Sequence, residues 1–411
     1  MPSALQQLVD GLGRRLRCAT VIDDPNAQLQ VYNSQFGTVD ESRRNRILSR
    51  AGDPDVAEYF SSFRNPWPTQ PIRIPAKPEI GVESRVYMPI RHQGELLGHL
   101  WVFDQGGLVS EDDFDFVLAA AESAALVLNR EQLLSDLERS RERELMRDLL
   151  SSDAPTRAQA SEDLTGSDHF PFRSPVRAIV LQPLGGEGGE ANQVVRREIT
   201  LALETARNEL TPGHILNLVR NDHGLILVSP LDPALRTRSI QDIATDLQAA
   251  LARALSVLPG AAWRVHAGIG EEQGALNDAL VSYEQARHAV KVSSVAPSFG
   301  PVTEWSRLGI YRMLSHFPLE QLASEALHPA VIELVRSDEA PALLKTLETY
   351  LDSGCDAKAT ASQLFIHRGT LYYRLKRITE VTGAALHSGE ERLAIHLSLK
   401  LGRLSGLVAT E

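Results

Sequence analysis

The chain of 411 residues reads as a multidomain α+β protein, on three observations. Its length exceeds what one ordinary core supports and suggests about two to four domains. Strand-like runs alternate with helical runs twice, once ahead of a leucine-rich helical stretch and again from Val176. From Glu304 onward the apolar spacing is helical and ends in a helix-turn-helix pattern.

Composition sets the class. Apolar residues at 43% and charged residues at 23% are near globular averages and indicate a soluble folded protein. A net charge of -11 argues against a general nucleic-acid coat protein, yet it permits one basic module on an acidic body. Cys18 and Cys355 lie far apart, outside any Cys-x-x-Cys spacing. They read as small apolar residues in a reducing compartment, with no disulfide framework and no zinc site. The N-terminus has no basic stretch followed by an apolar one, and no apolar run approaches about 20 residues. The expectation is a cytoplasmic protein with no membrane partner.

The first module begins with a helix near Ser3 to Leu16, followed by CATVIDD and LQVYN as a hairpin and a helix from Glu41 to Arg50. The run FRNPWPTQPIRIPAKPE is too rich in proline for a helix or a central strand and reads as a long structured loop covering a cavity. SRVYMPI and ELLGHLWVF, joined at Arg91 to Gly94, close an antiparallel sheet; EDDFDFVLAAAESAALVLNREQLL is a helix with acids in its first turn. Trp67, Tyr87, Trp101 and Phe103 are candidates to line a ligand pocket, the alternative being plain core. In order and spacing the module resembles a GAF or PAS-like sensor domain, with Met88-Pro89-Ile90 and Gly94 to Gly98 nearest to a motif. That resemblance implies a small-molecule effector.

Leu126, Leu133, Leu137, Leu145 and Leu149 continue the closing helix at spacings close to a heptad. A two-stranded coil between protomers and packing on the next domain both fit this pattern. SSDAPTRAQASED then reads as a helix end plus linker.

From Val176 the order is β-α-β-β-α-β, the ferredoxin-like plan of nucleotide cyclases. The run Gly185 to Glu190 follows the first strand and reads as a flexible loop, whereas a catalytic turn belongs between the second and third strands, at Arg220 to Gly224. Asp222 is the single carboxylate there, and a divalent metal bridging phosphates usually needs another. Gly268-x-Gly270-x-x-x-Gly274 mimics a dinucleotide fingerprint without the βαβ unit after it. Gly-x-Ser-x-Gly, His-Glu-x-x-His and P-loop spacings are absent, and no two histidines stand at i, i+4 on a helix. We therefore expect no catalytic residue, no metal and no cofactor.

Ala357 to Gly383 carries the chemistry. Ala361 and Leu364 fall one turn apart in a short helix, a turn follows at Ile366, and Leu371, Leu375 and Ile378 repeat at i, i+4, i+7 in a second helix. The opposite face bears Gly369, Thr370, Tyr373, Lys376 and Arg377, with Tyr372 and Arg374 on the flanks and Arg368 at the start. Four basic residues and no acid lie between Arg368 and Arg377. A basic face in an acidic chain suits a phosphate backbone, because each neutralised phosphate releases counterions. The candidate contacts with double-stranded DNA are therefore Arg368, Thr370, Tyr372, Tyr373, Arg374, Lys376 and Arg377.

HRGTLYYRLKRITEVTG, with A-x-x-L before it and a helix from Glu390 to Leu404 after it, resembles the C-terminal helix-turn-helix of PucR/CdaR-type bacterial transcription regulators. It matches the family pattern at His367, Arg368, Thr370, Leu371, Tyr373, Arg374 and Leu375. It departs at Gly369, where the family has Asn and Fis-type units have Arg-Gly-Thr-Leu, and at Phe365, where many such turns have Gly. RERELMRDLL resembles the segment before the family's middle domain. Gly268 to Gly270 followed by Ser282 to Arg287 is similar to its degenerate GGDEF-like domain.

The resemblance implies a GAF-like sensor at 1–128, a helical connector at 129–168, a degenerate cyclase-like domain at 169–298 and an all-α DNA-binding domain at 299–411, with the helix-turn-helix at 356–380. It implies a sequence-specific DNA-binding regulator. One recognition helix reads only about four or five base pairs, so a homodimer or dimer of dimers on an inverted repeat is expected. The alternatives are a cyclase-like signalling enzyme and an interaction scaffold with a vestigial helix-turn-helix.

Overall fold

Alternating side chains on the strands around Val86 and Leu100 bury both faces of an N-terminal sheet, and this decides how the first unit packs. The computed structural model describes residues 3–33, 54–64, 66–104, 106–166, 175–185, 189–211, 213–258, 263–317 and 327–408. They form two units, Met1–Ser140 and Arg141–Glu411. The expected helix from Glu41 to Arg50 lies outside the described residues, as does the centre of the Gly-rich run.

In the first unit, α1 (Ala4–Leu16) starts at Ser3, whose hydroxyl accepts the Gln6 amide at 3.1 Å. Strands β1 (Thr20–Asp23) and β2 (Leu29–Asn33) pair antiparallel, and α2 (Pro54–Ser61) follows. The proline-rich run is not loop throughout: β3 (Ile72–Ile74) pairs with β4 (Arg85–His92), which pairs with β5 (Glu95–Phe103). The sheet order is β2-β1-β5-β4-β3, so β3 is an edge strand and its flanking prolines break no central ladder.

Val86, Met88, Leu100 and Val102 face α1 and α3 (Phe114–Leu149), meeting Val9, Leu12, Val117 and Ala124. Tyr87, Trp101 and Phe103 face the other way, with Ala19, Val21 and Phe60. Along α3 the leucines divide. Leu126, Leu133 and Leu137 are 62%, 55% and 66% exposed, whereas Leu145 is partly buried and Leu149 fully buried against the sheet of the second unit. The packing reading thus holds for the C-terminal end of the helix, at Leu145 and Leu149, while the three leucines before it are open.

SSDAPTRAQASED is mostly helix, which corrects the linker reading. Asp153 caps α4 (Ala154–Thr165) by accepting the Thr156 amide at 3.0 Å, and Ala160 and Leu164 are buried. Next come β6 (Arg177–Leu184), α5 (Gly189–Glu209), β7 (Ile215–Val219), β8 (Gly224–Val228), α6 (Ile240–Ser256), β9 (Arg264–Ile269) and α7 (Ala279–Val295). A short β10 (Val302–Glu304) joins β9 in parallel, giving the order β10-β9-β6-β8-β7.

The sequence pattern Gly-Ile-Gly has a packing cause here. A Cβ on Gly268 would lie 1.9 Å from the Ala286 carbonyl oxygen, and one on Gly270 2.0 Å from that of Ser282. Only glycine lets α7 come this close, and Ser282 Oγ then accepts the Ala178 amide at 2.9 Å.

The C-terminal part holds α8 (Tyr311–Leu314), α9 (Pro329–Arg336), α10 (Ala340–Asp352), α11 (Ala357–Gln363), α12 (Arg368–Thr382) and α13 (Gly389–Leu404). The apolar character of α13 on more than one face reflects two neighbours. Ile395 and Leu399 join the core of α9, α10 and α12, while Leu397, Leu401 and Leu404 pack with Trp305, Tyr311, Ala289 and Val292. Glu348 and Asp352 on α10 accept from Lys400 at 3.1 and 2.7 Å, and Glu348 also accepts from Arg403 Nη2 at 2.8 Å.

Candidate nucleic-acid interface

The helix-turn-helix is built by local caps and three buried side chains. Asp356 caps α11, its carboxylate accepting the Lys358 and Ala359 amides at 2.7 and 3.0 Å; these bonds hold its pKa below the usual carboxylate range. His367 caps α12 by accepting the Gly369 amide on Nδ1 at 3.1 Å, and Gly383 ends it at φ 67°. Ala361, Leu371 and Ile378 are buried, and Leu375 is half-buried in the core that holds Ile378. The turn forces Phe365 to φ 53° while leaving its ring 96% exposed.

The seven candidate side chains fall into two groups. Arg368, Thr370, Tyr372, Tyr373 and Lys376 are exposed, Tyr372 at 60% and Tyr373 at 66%. Arg374 is half-buried and donates from Nη1 to Thr346 Oγ1 on α10 at 3.2 Å. Arg377 donates from Nε to Glu339 Oε1 at 3.2 Å and lies 3.6 Å from Glu380, while Lys376 lies 3.8 Å from Glu380. The Glu339 hydrogen bond and charge raise the Arg377 pKa further above its ordinary value. A phosphate reaching Arg377 must therefore compete with two carboxylates, whereas Arg368 and the exposed tyrosines are open to a duplex.

Sequence spacing alone does not predict that Phe365 stands in solvent. The signal was available in part: a large apolar residue standing where the turn favours glycine.

In the first unit, Trp67, Tyr87, Trp101 and Phe103 come together in one cluster. They are packed ring on ring. Tyr87 and Trp101 centroids are 4.5 Å apart, Phe60 is 5.1 Å from Trp101, and the Tyr87 hydroxyl meets His99 Nδ1 at 3.0 Å. A cavity of about 290 Å³ in this unit is lined instead by Pro68, Met88, Pro89, Leu118 and Glu122 among others.

Around Asp222 there is a hydrogen-bonded chain. His223 Nδ1 donates to Asp222 at 2.7 Å, so Nε2 is left to accept from the Tyr283 hydroxyl at 2.9 Å. Burial lowers the His223 pKa against the opposing pull of Asp222, which keeps the ring neutral at pH 7. Among the described residues no group of three His, Cys, Asp or Glu side chains is placed to hold a metal ion.

Comparison with known proteins identifies two of these regions. Residues 343–401 match the PucR C-terminal helix-turn-helix domain, and residues 169–292 match a GGDEF-like domain. The proline-responsive transcriptional activator PutR of Bacillus subtilis is 24% identical over 97% of this chain and 96% of its own. The DNA-binding transcriptional activator AdeR of the same organism is 22% identical over 97% and 92%. The carbohydrate diacid regulator of Escherichia coli is 38% identical over 19% of this chain and 20% of its own. The chain is a transcriptional regulator of the PucR/CdaR type.

A crystal structure of a regulator of polyketide synthase expression from Bifidobacterium adolescentis aligns with 64% of this chain and 98% of its own, at 17% identity. Its TM-score of 0.27 is too low to bear on how this PucR-type regulator is arranged. No helix among the described residues is long and apolar enough to cross a membrane.

Proposed function

We propose that this PucR-type regulator binds an inverted repeat in double-stranded DNA through α12. The observation that supports it is the outward face of that helix, where Arg368, Thr370, Tyr372, Tyr373 and Lys376 stand clear of a core closed by Leu371 and Ile378. Arg368 and Lys376 supply sequence-independent phosphate contacts, and Thr370 and Tyr373 read base edges in the major groove. Arg377 adds a phosphate contact once it parts from Glu339. Arg374 acts as a positioning residue, fixing α12 against α10 through Thr346.

The functional unit is a homodimer or a dimer of dimers, held by the open leucine stripe of α3. It works in the cytoplasm, without catalytic activity, under an effector bound by the GAF/PAS-like module at 1–128. PutR is named as proline-responsive, and both relatives of matching length are named activators, which supports a small-molecule signal and positive control. Electrophoretic shift of fragments selected from genomic DNA tests the reading. A shift that survives excess competitor is expected, and complete loss of every shift to competitor would remove the specificity claimed.

A further inference from the structure

The GGDEF-like domain holds a cavity of about 450 Å³ between the end of α3, α5, the β7–β8 turn and α7. Arg147, Arg196, Arg220 and Arg287 line it, against one carboxylate, Asp222. Four guanidiniums facing one carboxylate leave three positive charges unmatched, in a chain that is acidic overall. Among the described residues none of the four arginines is in an ion pair, whereas nearby Arg207 is held bidentately by Glu142 at 3.0 and 2.8 Å. The one carboxylate is occupied by His223 Nδ1 at 2.7 Å and approached by Gln182 Nε2 at 3.4 Å.

Two of the guanidiniums are oriented. Arg220 and Arg287 lie 5.4 and 5.9 Å from the centroid of the Tyr283 ring, whose hydroxyl is fixed by His223. Like charges converging from four elements repel, and among the described lining residues only Asp222 offsets that repulsion, where a bound anion would offset the rest. The planar fork of arginine matches phosphate oxygens in pairs. Two linked phosphates supply about three negative charges in a compact volume, which a single carboxylate or phosphate does not.

We propose that this cavity binds a small molecule bearing two or more linked phosphates, held by Arg147, Arg196, Arg220 and Arg287 without a metal ion. The site lies on the helix that supports the DNA-binding part: α7 offers Tyr283 and Arg287 to the cavity, and Ala289 and Val292 to Trp305, Leu308 and Leu404.

Calorimetric titration of the full chain in metal-free buffer tests this, using inorganic pyrophosphate, GTP and citrate as probes. One site per chain is expected for pyrophosphate or GTP. Binding of pyrophosphate shows that the linked phosphates suffice; binding of GTP alone shows that a nucleoside adds to them. In either case Arg220→Gln/Arg287→Gln should weaken affinity at least about tenfold, the scale of two lost charge-assisted contacts. Arg253→Gln on α6, outside the cavity, should leave it unchanged. The exposed Arg287→Gln alone should weaken it several-fold with an unchanged melting temperature, which covers a double variant that fails to fold. No heat with either phosphate probe, wild-type affinity in the Arg287→Gln chain, or citrate binding as tightly as pyrophosphate would overturn the proposal.

Discussion

Arg374 donates to Thr346 across 3.2 Å, so a guanidinium from the middle of the recognition helix points back into the protein instead of outward. Thr346 is fully buried and itself donates to the Ala342 carbonyl oxygen, so the contact ties α12 to the middle of α10. Arg374→Ala should therefore cost about 1–2 kcal/mol of stability, the worth of a charge-assisted hydrogen bond. Lys376→Ala should leave stability within about 0.5 kcal/mol and make the salt dependence of DNA binding shallower by about one unit. Denaturation curves and affinities at several salt concentrations check both, and an Arg374→Ala chain of wild-type stability with a shallower slope would reverse the assignment.

Phe365 carries a backbone conformation that costs an L residue roughly 1–2 kcal/mol, with its ring almost fully in solvent. Strain retained without burial points to use in binding. Phe365→Gly relieves the strain but frees the unfolded chain, so it should stabilise by at most about 1 kcal/mol while weakening DNA binding. Gly369→Asn, the family's residue, should fold normally, since its Cβ meets only the His367 ring at 3.3 Å, and should shift operator preference toward adenine. Selection from random DNA with each variant reads both effects.

His288 on α7 packs against Trp305 and His316 at 5.8 and 4.5 Å between centroids. Burial and then the charges of His316, Lys291 and Arg287 push its pKa down to about 4. The folded state thus disfavours the protonated ring, which the unfolded chain accepts below about pH 6.5. Stability contributed by neutral His288 is full above that pH and is lost as pH falls toward 4. The melting temperature of wild type should decline more steeply than that of His288→Phe over this window; parallel curves would show that His288 is not the titrating group.

The open leucines of α3 give the assembly prediction. Leu126, Leu133 and Leu137 follow one face, and burying them between two copies gains about 1.5–3 kcal/mol per side chain. Leu133→Glu/Leu137→Glu should convert a dimer into a monomer by light scattering and weaken DNA binding, while the fold is kept. A wild-type chain that is monomeric at micromolar concentration, free and on DNA, would contradict the dimer.

How much of this was legible in the sequence depends on how local each signal is. Leu371 and Ile378 repeat within one helix, and Gly268, Gly270 and Ser282 sit close together in the chain, so their spacing reports their packing directly. Arg374 shows the limit. Helical phase puts it on the flank of a basic face, but the residue that decides its direction, Thr346, belongs to another helix. The same holds for Leu145 and Leu149, which continue the pattern of Leu137 yet are covered by a sheet from later in the chain. Asp153 could have been recognised as a cap before Ala154 and Pro155; the Ser- and Asp-rich composition masked it. The four arginines of the cavity come from separate elements, and no spacing rule joins them.

The most direct measurement of the central claim is fluorescence anisotropy of the full chain on an operator selected from genomic DNA, comparing wild type with Arg368→Ala/Tyr373→Ala. Both side chains are exposed on α12 and belong to no core cluster among the described residues, so the variant should keep its melting temperature and lose at least about tenfold in affinity, with specificity over random DNA reduced. A folded variant that binds the operator as tightly and as selectively as wild type would mean that α12 is not the surface that reads DNA.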